Sequence, residues 1–223
     1  MAFDFATSAR SCILFGMTGP ISIFYFLILI ASIIVHEVAH GLAAEREGDP
    51  TARLLGRITL NPLKHIDWLG SIILPAILIL TNAGFVVGWA KPVPYDANNL
   101  RRGRKSEAIV SVAGILVNLS VAIVFGLLIR VMLLTGYTSV AVIDIASIIV
   151  LINIVLALFN SIPIAPLDGF RFLSSVLPVR ALPTLRILEQ YSLPLLIVFI
   201  VFGWKFVVPF AFTIYSLLTG IAL

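Results

Sequence analysis

The sequence predicts an all-α fold: a polytopic transmembrane helix bundle of about four to six membrane segments, with residues 1–223 forming one integral-membrane domain. Three observations carry this. Hydrophobic residues make up 60% of the 223 positions and charged residues only 12%, whereas a soluble domain carries roughly a quarter charged residues. The apolar residues fall in blocks that approach or exceed the roughly 20 residues needed to cross about 30 Å of hydrocarbon. The polar stretches between them, 45–68, 89–107 and 161–191, are too short for a folded extramembrane domain.

The first block, Pro20 to Ala44, resembles the apolar core of a signal peptide. It continues without a small-residue cleavage site into His36, Glu37 and His40, so it is read as a retained helix. The second, Leu69 to Trp89, is irregular, with Pro75 at mid-block and Asn82 with Gly84 further on. Ala108 to Thr135 and Ser139 to Asn160 read as uninterrupted spans. The last block, Ser192 to Leu223, is long enough for one tilted helix or for two pieces divided near Pro209, where proline removes an intrahelical hydrogen bond.

Charge decides how the second block runs. Arg46, Arg53, Arg57 and Lys64 precede it; Lys91, Arg101, Arg102, Arg104 and Lys105 follow it. If the block enters and leaves on one side, twelve basic residues share a face opposite Arg10 and Arg130, setting aside Lys205. If it spans, the division is nine against five. The positive-inside rule favours re-entry of residues 69–88 from the cytoplasmic face. Re-entrant backbone survives at membrane depth only beside protein or a water-filled cavity, so an internal cavity is expected. The net charge of +4 is thus topological, facing anionic lipid, and nucleic acid is excluded as a partner. The lone cysteine, Cys12, permits neither an internal disulfide nor a multi-cysteine metal site.

Chemistry concentrates in His36-Glu37-Val38-Ala39-His40. Helical residues four apart share a face, so both imidazoles can hold one zinc ion while Glu37, about 60° beyond His40, points toward a metal-bound water. Three ionisable groups inside a membrane helix are costly and mark function. Zinc would lower the pKa of the water toward about 7, and Glu37 would accept its proton and pass it to the leaving amine.

Two histidines leave zinc short of a third protein ligand. Asp168 follows Asn160, Pro163 and Pro166 in a stretch that two prolines keep from regular helix; Asp144 lies near the start of the fourth block. Re-entry brings Asp168 to the face of the histidines, whereas spanning would favour Asp144. The charge distribution therefore favours Asp168.

These residues, in this order, resemble the site-2 protease family of intramembrane zinc metalloproteases. The resemblance includes Gly56 to Asp67, Gly88-Trp89-Ala90-Lys91-Pro92-Val93-Pro94, Ala113-Gly114 with Asn118, and Asn160, Pro163, Pro166, Asp168 and Gly169. It covers most of residues 20–175 and is closest to the short bacterial or archaeal form without PDZ or cystathionine-synthase-type domains. It implies His36, His40 and Asp168 as ligands of one zinc ion, Glu37 as catalytic base, and Asn160 as a polar group for the substrate carbonyl or oxyanion. Trp68, Ile115 and Ala165 stand where the family pattern has proline. The implied substrates are membrane-spanning segments of other proteins or signal-peptide remnants, cut at a site near the cytoplasmic face of a prokaryotic cell membrane.

Other positions have plainer expectations. His65 is expected to be a hydrogen-bonding loop histidine, because a catalytic zinc needs an open position. Asn118 is expected to bond between helices. Residues 88–94 form either a strand edge for an extended substrate or a connecting loop. A polytopic metal-ion transporter using the same His and Asp residues is the rival function, against which Glu37, a base beside one water, argues.

Overall fold

The computed structural model describes residues 20–73, 76–77, 80–81, 90–137 and 139–221. Pro75, Asn82, Gly84, Gly88, Trp89, Arg10 and Cys12 lie outside them. No strand occurs among the described residues.

Helix α1 spans Pro20–Arg46 and is followed by one turn, α2, at Thr51–Leu54. Short 3-10 turns at Pro62–His65 and Ala97–Asn99 flank the second block, whose described start, Trp68–Ile73, is a π-helical turn. Helix α3 spans Arg104–Leu134, α4 Val140–Asn160, α5 Asp168–Val176 and α6 Leu182–Gln190. Helix α7 runs through Ser192–Thr219. It is one helix, and its irregularity is a π turn at Phe199–Gly203 rather than a break at Pro209, which α7 retains in its interior.

Among the described residues, four helices are long and apolar enough to cross a membrane: the Phe24–Arg46 part of α1, α3, α4 and α7. At about 1.5 Å per residue, the 31 residues of α3 exceed the hydrocarbon thickness, so α3 tilts or projects into the interface. Helix α3 continues unbroken through Ala113, Gly114 and Ile115.

Helix α3 packs against α1, α4, α5 and α7. Lipid removes the hydrophobic drive for helix association, so close packing and interhelical hydrogen bonds take its place. Ala122, Ile129, Ala146, Val150, Ile154, Ala211 and Tyr215 form the α3–α4–α7 core, and the Tyr215 hydroxyl donates to Ser147 at 2.8 Å. Asn153 of α4 donates to Ser32 of α1 at 2.9 Å.

Outside the spans, a polar clamp gathers the loops at the C-terminal end of α1. The fully buried Asp49 accepts from the Thr51 N–H and hydroxyl, the Asp96 N–H and the Asn99 side chain. Arg102 and Ser106 both donate to Glu47. Arg57 donates to the carbonyls of Lys91 and Pro92 at 2.8 and 3.1 Å, and the Lys91 N–H donates to the His65 carbonyl at 2.8 Å. Both flanks of the second block therefore lie at one end of the bundle.

Candidate active site

His36 and His40 lie one turn apart on α1, their ring centroids 4.7 Å apart and their planes near perpendicular. Asp168, the first residue of α5, reaches between them. His36 Nε2 is 3.0 Å and His40 Nε2 3.1 Å from Asp168 Oδ2, and the two Nε2 atoms are 3.1 Å apart. All three side chains are buried. Among the described residues this is the group of His, Cys, Asp and Glu side chains placed to hold a metal ion.

The donor set fits zinc. Tetrahedral bonds of roughly 2.0–2.2 Å separate ligand atoms by about 3.3–3.6 Å, so this triangle admits the ion with a small opening. Space is provided by Gly114 of α3: a Cβ there would lie 2.5 Å from Nε2 of both histidines and 2.4 Å from His36 Cε1. Any larger residue would fill the place between the imidazoles. His40 Nδ1 meets the Val110 carbonyl at 2.7 Å. A carbonyl only accepts, so Nδ1 carries the proton, and the Nε2 lone pair of neutral His40 faces the cluster.

Converging lone pairs and a carboxylate repel one another unless a cation or protons lie among them. When protons do, the site holds Asp168 ionised. Burial pushes its carboxyl up, but hydrogen bonds and charge from His36 and His40 outweigh burial and keep it well below the usual carboxylate range.

The turn 161–167 delivers Asp168. Its backbone closes through Ile162 N–H to Phe159 O at 3.2 Å and Leu167 N–H to Ile164 O at 2.9 Å, and the Ala165–Pro166 peptide is cis. A Cβ on Gly169 would come within 2.3 Å of the Ser161 carbonyl oxygen, so glycine lets α5 start against the end of α4. Arg104, at the start of α3, donates to the carbonyls of Ser174 and Leu177 and ties down the other end of α5.

Glu37 is outside the triangle. Its Oε2 accepts from the Val93 N–H at 2.8 Å, a contact with no signal in the sequence because a backbone group makes it. Pro92 and Pro94 have no N–H, and Lys91 and Val93 commit theirs to His65 and Glu37. Residues 91–94 are thus a tied loop with no free row of donors.

The remaining candidates are placed as follows. Asn160 ends α4, and its Nδ2 donates to Leu156 O at 3.0 Å, using one of its two hydrogens. Asp144, in the first turns of α4, is not in the metal-holding group. His65 is buried and bonds through Nε2 to Thr59 O at 2.9 Å, as a loop histidine. Asn118 bonds between helices, its Nδ2 placed 3.2 Å from His36 Nδ1. Val110 has no assigned role in the sequence, and Arg104 counts there only as one of the basic residues flanking the second block, not as a tie to α5. The four-residue spacing of Val110, Gly114 and Asn118 on α3 was the legible signal for a shared face.

Residues 24–141 match the family described as Peptidase family M50, a stretch that holds His36, Glu37 and His40 and ends before Asn160 and Asp168. The "Putative zinc metalloprotease YwhC" of Bacillus subtilis (strain 168) is 37% identical over 197 residues, covering 85% of this chain and 84% of that protein. The "Putative zinc metalloprotease Rip2" of Mycolicibacterium smegmatis (strain ATCC 700084 / mc(2)155) is 32% identical over 102 residues, covering 44% of this chain and 38% of that protein. No solved structure matches the chain.

Proposed function

The chain belongs to peptidase family M50, and from that premise we propose how its residues divide the work of an intramembrane, site-2-protease-like zinc endopeptidase. The observation that carries the assignment is the triangle of His36 Nε2, His40 Nε2 and Asp168 Oδ2, with sides of 3.0 to 3.1 Å, beside Glu37. His36, His40 and Asp168 would hold the zinc, which when bound would polarise the scissile carbonyl and acidify a water. Glu37 takes a proton from the attacking water as the water's oxygen bonds to the carbonyl carbon, and returns it to the amine as the C–N bond breaks. The Val93 N–H steadies one carboxylate oxygen of Glu37 and leaves the other for the water. Asn160 supplies an amide hydrogen to the substrate carbonyl.

The protein is integral to the membrane, and its substrates are membrane-embedded. We assign it a prokaryotic cell membrane with the site near the cytoplasmic face, since basic residues crowd the loops beside α1. Residues 1–223 act as one metalloprotease domain. Substrates are transmembrane proteins or signal-peptide remnants. A peptide bond within a helix is sterically covered and its carbonyl is hydrogen-bonded, so the cut segment must unwind locally, and helix-breaking residues near the bond favour cleavage. The transporter alternative is not supported: the family is proteolytic.

The test is purified wild type against Glu37→Gln on a panel of single-span substrates, with bound metal measured alongside. Both forms are expected to hold near-stoichiometric zinc, and only wild type to cut. Comparable cutting by Glu37→Gln would overturn the role of Glu37.

A further inference from the structure

Both metal-facing histidines turn their outer nitrogens toward α3, at residues two turns apart with Gly114 between them. His40 Nδ1 meets the Val110 carbonyl at 2.7 Å, and His36 Nδ1 meets the Asn118 side-chain amide at 3.2 Å. The carbonyl sets the His40 tautomer outright. An amide group offers two choices, because its oxygen accepts and its nitrogen donates. With Nδ2 toward His36, the imidazole Nδ1 is the acceptor, and neutral His36 carries its proton on Nε2, the atom that faces His40 and Asp168. A protonated Nε2 has no lone pair for a metal.

The same orientation leaves Asn118 Oδ1 buried without a hydrogen-bond partner, and Asn118 is fully buried. An orphaned acceptor beside the one nitrogen that must become a donor has a direct resolution. Rotating the amide by about 180° exchanges two nearly isosteric atoms. It places Oδ1 against His36 Nδ1–H.

We propose that Asn118 is a positioning residue that fixes the metal-binding tautomer of His36, accepting the Nδ1 proton through Oδ1 and so baring Nε2 toward the metal. It does for His36 what the Val110 carbonyl does for His40. Val110, Gly114 and Asn118 thus form one stripe of α3 that orients one imidazole, leaves room for the ion and orients the other. Outer partners of this kind commonly contribute about ten- to a hundredfold in metal affinity. The inference rests on His36, His40 and Asp168 being the zinc ligands.

The experiment uses the full-length protein in detergent with zinc alone, by chelator competition and by nitrogen-15 NMR of labelled histidine, which only three histidines contribute to. Zinc-loaded wild type is expected to show His36 protonated at Nδ1 and unprotonated at Nε2. Asn118→Leu, which has no acceptor, is expected to weaken zinc binding about ten- to a hundredfold, with its helical circular dichroism unchanged. Asn118→Asp keeps the acceptor and is expected to stay within about threefold of wild type, on the same account. A wild-type His36 metallated through Nδ1 would overturn the proposal, and that measurement needs no folded variant. Equal zinc affinity in wild type and Asn118→Leu, or equal loss in Asn118→Leu and Asn118→Asp, would also overturn it. Failure of wild type itself to bind zinc would instead refute the ligand assignment beneath it.

Discussion

The backbone N–H of Lys91 donates to the carbonyl of His65 at 2.8 Å, joining residues on either side of the irregular apolar block. A segment crossing about 30 Å of hydrocarbon would hold its ends that far apart. Here they touch, and Arg57 adds a second tie to Lys91 and Pro92. In a Cys12→Ser background, single cysteines at the exposed positions Leu63 and Asn98 are expected to react from the same side with an impermeant thiol reagent. Labelling from opposite sides would separate the flanks and remove the basis for re-entry.

Gly114→Ala is expected to empty the metal site while leaving every proposed ligand in place. The added methyl would lie 2.5 Å from Nε2 of both histidines, closer than unbonded atoms approach. Metal analysis of the purified variant should show zinc reduced at least about tenfold in affinity, by the scale of other perturbations around metal ligands. Zinc content equal to wild type would mean that the imidazoles can rearrange around the methyl.

Asp168 and Asp144 are separable by the same measurement. Asp168→Ala is expected to lose both zinc and cleavage, because it removes one corner of the triangle. Asp144→Ala should retain zinc at the wild-type level, since Asp144 is not in the cluster. The reverse result would displace Asp168 from the metal.

Asp49 makes the loop clamp sensitive to acid. Burial pushes its carboxyl up, but hydrogen bonds from Thr51, Asn99 and the Asp96 N–H outweigh that, and its folded pKa lies below its ordinary 3.8. Its stabilising contribution is therefore complete above that ordinary value and is lost as pH falls through the depressed folded one. Hydrogen exchange at the Asp96 amide should remain slow at neutral pH and accelerate, after correction for intrinsic rates, below the ordinary carboxylate range. Asp49→Ala should show fast exchange at every pH, and a protected Asp96 amide in that variant would assign the clamp to other contacts.

The bundle and much of the candidate site were legible in the sequence because they rest on local regularities. Apolar blocks long enough to cross a bilayer predict spans, and α1, α3, α4 and α7 occupy four of the five blocks. His36 and His40 share a face by helical spacing alone, and Glu37 follows by adjacency. The course of α7 past Pro209 was not legible, since neighbouring packing decides whether a proline interrupts a membrane helix.

Which side chains are available for the chemistry could be read from the residues alone, and so could the crowding of basic residues on both flanks of the second block. What surrounds those side chains depends on packing between distant segments. Asp168 stands 128 residues from His40, and its approach depends on Gly169 against Ser161 and on Arg104 holding the far end of α5. The partners of Glu37 Oε2 and of His40 Nδ1 are backbone groups, the Val93 N–H and the Val110 carbonyl. Every residue but proline carries both such groups, so residue identity does not reveal which ones a fold will use. Their selection depends on the packing of α3 and the 91–94 loop against α1.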